Sequence, residues 1–229
     1  MTYNPAMRVA VISDVHCGDL GCRRSAAFVR WLDELEADAL WMLGDIFHYG
    51  WVFGGRLQPE YQPVFEALDR AAGRVLRMVF VPGNHDFRMG ALMASRWGAD
   101  VAGPHTREVD GVRIHISHGD EADTGLGYRA VDGFLRGRIV DWFMRLLGVR
   151  FGTAVLRHIA GEAGEADGEV WPSTLQALSE HLVGADMAIM GHAHVPWTRR
   201  DGRGVGVILG PGVPGAICID GGQLKMQAD

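Results

Sequence analysis

The sequence has few cysteines, no long apolar run and no excess of positive charge. Its three cysteines, Cys17, Cys22 and Cys218, are too few and too irregularly spaced for a disulfide framework. Charged residues or glycines interrupt every apolar stretch before the ~18 residues that a transmembrane helix needs. The N-terminal residues lack the apolar region and cleavage site of a secretory signal peptide. We therefore expect a cytoplasmic protein.

The composition is that of a globular protein with an acidic balance. Of the 229 residues, 48% are hydrophobic and 22% are charged, which excludes disordered and fibrous proteins. This length predicts a single domain spanning residues 1–229. A formal net charge of −6 argues against nucleic acid as a partner, because proteins that bind phosphate backbones usually carry a basic excess. The sequence specifies no oligomeric state.

Short apolar blocks of strand length alternate with helical patterns, which is typical of an α/β fold. The predicted strands are residues 9–12, 39–43, 75–81, 112–116, 187–190, 205–209 and 216–219. The predicted helices between them are residues 25–35, 63–72 and 92–97.

One segment, residues 127–160, differs from the rest of the chain. Its apolar residues recur at i, i+3, i+4 and i+7, which predicts an amphipathic helix, or two helices with a break near Gly148. Six arginines and two aspartates give this segment a formal charge of +4, so the remainder of the chain carries −10. The acidic, glycine-rich stretch at 161–168 that follows is typical of a linker.

Residue types that bind metal ions follow five of the predicted strands. In chain order they are Asp14 and His16; Asp45; Asn84, which His85 follows without being counted among these donors; His118; and His192 and His194. In α/β proteins, sites form beyond the carboxyl ends of the strands, so these side chains are expected to meet in one place.

This donor set has a specific chemistry. Carboxylate, imidazole and amide oxygen together suit Mn, Fe, Co or Zn better than Ca or Mg. Two carboxylates, four imidazoles and one amide exceed what one tetrahedral ion needs, but they suit a pair of ions about 3.5–4 Å apart that share a carboxylate. Such a pair orients a phosphoryl group and lowers the pKa of a bound water towards about 7. No nucleophilic serine or cysteine is required.

The series Asp14-x-His16, Gly44-Asp45, Gly83-Asn84-His85-Asp86, His118-Gly119-Asp120 and Gly191-His192-x-His194 resembles the calcineurin-like metallophosphoesterase superfamily. The resemblance implies a four-layer α/β/β/α sandwich with a dinuclear centre at the strand ends. It implies that Asp14, His16 and His194 hold one ion, that Asn84, His118 and His192 hold the other, and that Asp45 bridges them. Mn is the expected metal, with Fe, Co or Zn as alternatives. His85 matches the residue that contacts the phosphoryl oxygen or protonates the leaving group.

A finer resemblance concerns the substrate. Gly44-Asp45-Ile46-Phe47 followed by Tyr49, Trp51 and Phe53, then Gly83 to Phe87, and His118-Gly119-Asp120 leading to Tyr128-Arg129, are similar to the UDP-2,3-diacylglucosamine hydrolase branch. That branch has a helical lid, which here is an insertion at about 124–170. The implied reaction belongs to lipid A biosynthesis and releases UMP and a lipid monosaccharide 1-phosphate from a nucleotide-sugar lipid, with the enzyme peripheral on the inner membrane.

The residues implied to bind this substrate are Asp123, Tyr128 and Arg129. The sequence departs from the branch in two places. His85 stands where some of its members carry arginine, and Leu126-Gly127 stands where the branch tends to place an acid, so that Asp123 is the nearest candidate.

Several alternatives stay open at this point. The protein is alternatively a phosphodiesterase or phosphatase for soluble nucleotides or small phosphate esters, or a scaffold that binds metal without turnover. The insertion is alternatively a plain helical hairpin packed on the sheet. Trp51 and Phe53 either cap the core or line a substrate pocket. His48 could reach a metal or a phosphate, but it is expected to support the site from outside the ligand set or to lie at the surface. Asp86 and Asp120 are expected to orient ligands or backbone.

Overall fold

The computed structural model describes residues 6–18, 21–53, 58–86, 89–122, 137–160 and 170–226. These residues form eleven strands and five α-helices. The strands are β1 (Arg8–Ile12), β2 (Ala39–Met42), β3 (Arg77–Phe80), β4 (Asp100–Val101), β5 (His105–Val109), β6 (Val112–Ile116), β7 (Met187–Met190), β8 (Trp197–Asp201), β9 (Gly204–Ile208), β10 (Ile217–Asp220) and β11 (Gln223–Met226). The helices are α1 (Arg23–Asp33), α2 (Gln62–Ala72), α3 (Met89–Trp97), α4 (Arg138–Ala160) and α5 (Pro172–His181).

The strands form two sheets. The six-stranded sheet has the order β11-β10-β1-β2-β3-β4, and the five-stranded sheet has the order β5-β6-β7-β9-β8. Strands β1 to β4 are parallel neighbours, as expected where helices connect successive strands, and β10 returns antiparallel to β1. In the second sheet, β6, β7 and β9 are parallel. Parallel strands end at the same edge, and this places the loops after β1, β2 and β3 together and the loops after β6 and β7 together.

The two sheets pack face to face. Alternate residues of β1, Val9 and Val11, share one buried cluster with Ile114 of β6 and Met187 of β7. Because side chains alternate along a strand, Ala10 and its neighbours face the opposite way, towards the helices. Both faces of these strands are buried, which explains why the sequence shows continuous apolar blocks there rather than alternation.

Helices cover both outer faces. On the six-stranded sheet, α1 contributes Phe28 and Leu32 and α2 contributes Val64 and Leu68 to one cluster with the sheet. On the five-stranded sheet, α5 packs Leu178 against Ala188, Met190 and Ile208. The order of layers is helix, sheet, sheet, helix, which confirms the predicted α/β/β/α sandwich.

The predicted elements differ from the observed ones mainly at their ends. The strand predicted from Val75 begins at Arg77, because the Val75 N–H donates to the Ala71 carbonyl in the last turn of α2. The helix predicted from Leu92 begins at Met89, which is fully buried. Strands β6 and β7 have the predicted bounds.

Helix α4 lies within the predicted insertion. Gly148 has φ 69° and ψ 178°, which breaks the helix into two, as the sequence predicted. Met144 and Leu156 are buried in the cluster that also holds Phe53, and a side chain at Gly152 would overlap the Phe53 ring. The remaining insertion residues, 123–136 and 161–169, lie outside the described residues.

Part of the apolar pattern of α4 faces away from the core. Five large apolar side chains of this helix are exposed, namely Trp142, Phe143, Leu146, Phe151 and Val155. They alternate with Met144 and Leu156, which are buried. Among the described residues, no helix combines the length and the apolar character that crossing a bilayer requires.

Candidate metal centre

The structure brings together all seven residues expected to be metal ligands. Each follows a strand, at the edge where the parallel strands end: Asp14 and His16 after β1, Asp45 after β2, Asn84 after β3, His118 after β6, and His192 and His194 after β7. The most distant pair in the sequence, His16 and His194, has its Nε2 atoms 3.0 Å apart. Both sheets therefore contribute to one site.

Backbone hydrogen bonds connect the loops that carry these residues. The Asp14 N–H donates to the Gly44 carbonyl over 3.0 Å, and the His16 N–H donates to the Asp45 carbonyl over 2.9 Å. In the second sheet, the Gly191 N–H donates to the His118 carbonyl over 2.8 Å. These hydrogen bonds thus hold together the loops that carry the candidate metal-binding residues.

The backbone is strained at the same positions. Among the described residues, six that are not glycine have positive φ, and five of them belong to the site: Asp14, His16, Asp45, His192 and His194. Positive φ costs a residue with a Cβ about 1–3 kcal/mol and persists only where the surrounding structure imposes it. Such strain is concentrated at functional sites, which supports a functional role for this edge.

Gly83 shows how closely the loops approach. A Cβ at this position would overlap Asp45 Oδ1 and lie 2.8 Å from Nε2 of His118. Only glycine permits this approach, so the residue before Asn84 is constrained by the site itself.

One group of ligand atoms comes from Asp14, His16 and His194. Nε2 of His194 lies 3.2 Å from Asp14 Oδ1 and 3.0 Å from Nε2 of His16. The other carboxylate oxygen of Asp14 accepts the His192 N–H over 2.9 Å, which orients the carboxylate.

A second group comes from Asp45, His118 and His192. Nε2 of His118 lies 3.5 Å from Asp45 Oδ2 and 3.1 Å from Asn84 Oδ1. Asp45 Oδ2 also lies 3.8 Å from Nε2 of His16, so this one oxygen is close to both groups.

Two observations test whether a cation fits here. Asp14 Oδ1 is buried and accepts no well-aligned hydrogen bond from the described part of the chain, although His194 is close. Nδ1 of His118 donates to the Leu43 carbonyl over 2.8 Å, so Nε2 is the ring nitrogen that meets the oxygens of Asn84 and Asp45. A positive charge, either a proton or a metal ion, stabilises this arrangement, and the carboxylate, imidazole and amide donors fit a divalent ion.

The electrostatics keep Asp14, His16 and Asp45 in forms that can bind a metal ion. Burial lowers the pKa of His16 to about 3, so its ring is neutral near neutral pH. Burial opposes ionisation of Asp14 and Asp45, but the neighbouring imidazoles hold both carboxyl pKa values below the usual range. Burial also opposes a charge on His118, yet Asp45 raises the pKa of that ring well above its usual value, which marks the position as one that favours a cation.

His85 and His48 lie beside these groups. The His85 N–H donates to Asp45 Oδ1 over 2.8 Å, and Nδ1 of His85 contacts the His48 carbonyl at 2.7 Å. Ligand atoms of His16, His48 and His85 lie within 4.8 Å of one another. The His48 side chain therefore lies beside the site, where it could support the ligands or reach a metal or a phosphate.

Other residues support the site through the backbone. Asp86 accepts hydrogen bonds from the Phe47 N–H over 3.1 Å and from the Gly83 N–H over 3.3 Å. It therefore orients the backbone, which is one of the two roles predicted for it. Burial and then Asp45 raise the pKa of Asp86 to about 7. The Leu43 carbonyl accepts hydrogen bonds from both Ser13 Oγ and His118, a role that no side-chain pattern could have revealed.

The remaining candidates are placed as follows. Asp123, Tyr128 and Arg129, the substrate residues implied by the resemblance, lie outside the described residues. Trp51 and Phe53 are buried in the core cluster, which favours the first of their two interpretations.

The comparison with protein families agrees with this geometry. The model of the calcineurin-like phosphoesterase family matches residues 7–196, which includes every candidate ligand. The chain belongs to the calcineurin-like phosphoesterase family.

Curated relatives of this phosphoesterase cover most of its length. It is 30% identical over 202 residues to the UDP-2,3-diacylglucosamine hydrolase of Aeromonas salmonicida, covering 83% of this chain and 78% of the relative. It is 30% identical over 209 residues to the protein of the same name from Ralstonia nicotianae, covering 82% and 77%. It is 25% identical to that of Serratia proteamaculans, covering 97% and 96%.

Solved structures share the fold. An archaeal phosphodiesterase aligns with a TM-score of 0.50 at 12% identity, covering 96% of this phosphoesterase and 98% of that chain. Vacuolar Protein Sorting 29 from Cryptosporidium parvum aligns with a TM-score of 0.51 at 12% identity, covering 97% and 96%. At this identity the likeness extends to the architecture alone.

Proposed function

We propose that this phosphoesterase uses a dinuclear metal centre. One ion would be held by Asp14, His16 and His194, the other by Asn84, His118 and His192, with Asp45 as the bridge. The observation that carries the proposal is the position of Asp45 Oδ2, which lies 3.8 Å from Nε2 of His16 and 3.5 Å from Nε2 of His118. One carboxylate oxygen that reaches both ligand groups is what a shared ligand requires.

Two divalent ions would supply charge that polarises a phosphoryl group and lowers the pKa of water. Mn is the first candidate, and Fe, Co or Zn suit the same donors. The chain itself contributes ionised carboxylates and a neutral His16, whereas His118, whose pKa Asp45 raises well above its usual value, would give up a proton when an ion binds.

His85 would act on the phosphoryl group. Its Nδ1 faces the His48 carbonyl at 2.7 Å and donates to it, which orients the ring. A protonated ring then carries its second N–H at Nε2. From there it can donate a hydrogen bond to a phosphoryl oxygen or deliver a proton to the leaving group.

The substrate we propose is UDP-2,3-diacylglucosamine, hydrolysed at its pyrophosphate to UMP and the lipid monosaccharide 1-phosphate. Relatives at 25–30% identity that carry this substrate in their name support the proposal, because they cover most of the chain. Helix α4 supports it independently, since its exposed Trp142, Leu146 and Phe151 would contact acyl chains.

The same helix would place the protein at a membrane surface. Exposed Arg145 and Arg150 alternate with the exposed apolar residues, a combination typical of segments that contact anionic lipid. We therefore propose peripheral contact with the inner membrane, where the acyl chains of the substrate reside.

One assay tests the substrate. Purified protein with Mn²⁺ is given UDP-2,3-diacylglucosamine, and UMP and the lipid phosphate are quantified; bis(p-nitrophenyl) phosphate is assayed in parallel. Bound metal is measured on the same sample. We expect UMP release and two bound ions per chain.

The parallel substrate separates the alternatives. Cleavage of the small diester without UMP release would contradict the lipid substrate and favour a phosphodiesterase for soluble esters. Two bound ions with no cleavage of either compound would favour the non-catalytic scaffold. A single bound ion would contradict the dinuclear centre.

A further inference from the structure

The peptide group that follows the candidate ligand His118 is held at both of its polar atoms. Its carbonyl, which belongs to His118, accepts the Gly191 N–H over 2.8 Å. Its N–H, which belongs to Gly119, donates to Glu121 Oε2 over 3.0 Å. Gly119 has φ 115°, and glycine restricts its own dihedral angles less than any other residue. The orientation of this peptide group therefore depends on the two hydrogen bonds.

The other carboxylate oxygen of Glu121 contacts helix α5. Nε2 of His181, the last residue of that helix, lies 2.9 Å from Glu121 Oε1. An ionised carboxylate can only accept, so Nε2 carries the proton of this hydrogen bond. Burial opposes ionisation of Glu121, but the hydrogen bond from His181 lowers the pKa of this carboxyl to about 2. Glu121 thus uses one oxygen for the backbone beside His118 and the other for α5.

His181 is fixed in turn by the five-stranded sheet. Its ring stacks on that of His115 in β6, with the centroids 4.2 Å apart and the planes inclined by 17°. Nδ1 of His115 lies 3.1 Å from Thr106 Oγ1 of β5. Burial lowers the pKa of His115 to about 4, so this ring is neutral near neutral pH and does not repel a charge on His181. The sheet therefore holds the His181 ring against Glu121.

We infer that Glu121 and His181 are positioning residues for His118: Glu121 holds the peptide N–H that follows this ligand, and His181 holds Glu121. The inference rests on the proposed metal centre. Nε2 of His118 lies 3.1 Å from Asn84 Oδ1 and 3.5 Å from Asp45 Oδ2, so a small rotation of the backbone after His118 would change both distances. Residues that orient a metal ligand from outside the ligand set commonly change metal affinity by about 10- to 100-fold when they are replaced.

The alternative is an ion pair that only attaches α5 to the sheet. Such a pair needs His181 and one oxygen of Glu121, whereas the second oxygen holds the N–H one residue from His118. The two roles predict different results. Attachment alone predicts a lower free energy of unfolding with unchanged metal affinity, and positioning predicts a lower metal affinity.

The test compares Glu121→Ala, Glu121→Gln and His181→Ala with the unmodified protein. Metal affinity is measured by competition with a chelator for Co²⁺, and the visible absorption spectrum of bound Co²⁺ reports the geometry of its ligands. Chemical denaturation is measured on the same samples.

We expect Glu121→Ala to weaken Co²⁺ binding about 10- to 100-fold and to change the spectrum, with a smaller effect in the same direction for His181→Ala. Glu121→Gln should recover part of the loss, because its amide oxygen can still accept the Gly119 N–H. Glu180→Ala, which removes an exposed carboxylate from the same helix, is the matched control and should bind Co²⁺ like the unmodified protein.

Metal binding needs no turnover, so it tests the pair separately from the proposed reaction. If the unmodified protein binds Co²⁺ but cleaves neither substrate, the proposed reaction fails, while weaker binding in Glu121→Ala would still support the inference. Equal Co²⁺ affinity and spectrum in Glu121→Ala and the unmodified protein would overturn the inference, even if the variant were less stable. An equal loss in Glu180→Ala would also overturn it. Absence of Co²⁺ binding in the unmodified protein would overturn the metal centre and the inference together.

Discussion

At the metal centre, Asp14 and Asp45 are charged residues with exposed fractions of 0% and 2%, whereas on helix α4 the apolar Trp142 and Leu146 are 65% and 70% exposed. Both regions reverse the usual distribution, in which charged residues face water and apolar residues are buried. The centre compensates for buried charge with paired imidazoles and hydrogen bonds. The exposed apolar side chains of α4 are instead typical of a surface that contacts another molecule or a membrane.

The largest expected effect is at the bridge. Asp45→Asn should abolish turnover of every phosphate ester and lower the metal content, because an amide cannot supply a shared anionic oxygen. Activity and metal content are measured on the same preparation. Asp110→Asn is a matched control, since Asp110 also has positive φ but lies in the turn between β5 and β6. Equal losses of activity and metal content in the two variants would show that the effect is not specific to the candidate metal centre.

The next effect is expected at His85. His85→Ala should slow turnover by about 10²–10⁴-fold, the range for loss of a general acid, while the metal content stays unchanged. Steady-state kinetics together with metal analysis check this. Unchanged rates would show that the contact between His85 and Asp45 is only structural.

Helix α4 offers a direct comparison between its two faces. Met144→Ala should lower the free energy of unfolding by about 2–5 kcal/mol, because Met144 is 2% exposed and its truncation leaves a cavity. Leu146→Ala, at 70% exposure, should change it by no more than about 0.5 kcal/mol. Chemical denaturation measures both. The exposed-face variant should instead lose activity on the lipid substrate relative to the small diester, and equal losses on both would favour a structural hairpin.

The smallest effect is expected from pH on the metal-free protein. Burial lowers the pKa of His16 to about 3 in the folded protein, whereas the ordinary pKa of histidine is about 6.5, so the unfolded chain binds more protons between these values. The free energy of unfolding should therefore fall as the pH drops from 6.5, by up to about 1.4 kcal/mol per pH unit for a single proton. Denaturation between pH 6.5 and 4.5 tests this, and His16→Asn should show a shallower slope. If the unfolding free energy had the same pH slope in both proteins, groups other than His16 would cause the loss of stability in acid.

The sequence predicted the centre better than it predicted α4, for a physical reason. Ligands such as Asp45 and His118 follow apolar strands directly, and parallel strands place their ends together whatever the details of packing. The position of a helical side chain depends instead on what the helix packs against. The periodic residues Trp142, Phe143 and Leu146 are exposed, while Met144 contacts the core.

Sequence analysis also could not reveal the backbone carbonyls that orient side chains of the site. The Leu43 carbonyl orients His118, and any residue type would supply that oxygen. The same holds for the His48 carbonyl and His85. The His48 side chain lies beside the site because of the conformation of the loop that carries it, and the sequence motif alone did not specify that conformation.

The contact between His16 and His194 joins residues 178 positions apart in the chain. The two sheets pack on each other through a shared buried cluster, so the geometry of this contact is complete only when both sheets are in place. A partly folded chain would present these histidines without that geometry. A metal ion can bind these residues together only in molecules in which the first and last candidate ligands are close to each other. By mass action, its binding would therefore stabilise the folded state of the whole chain.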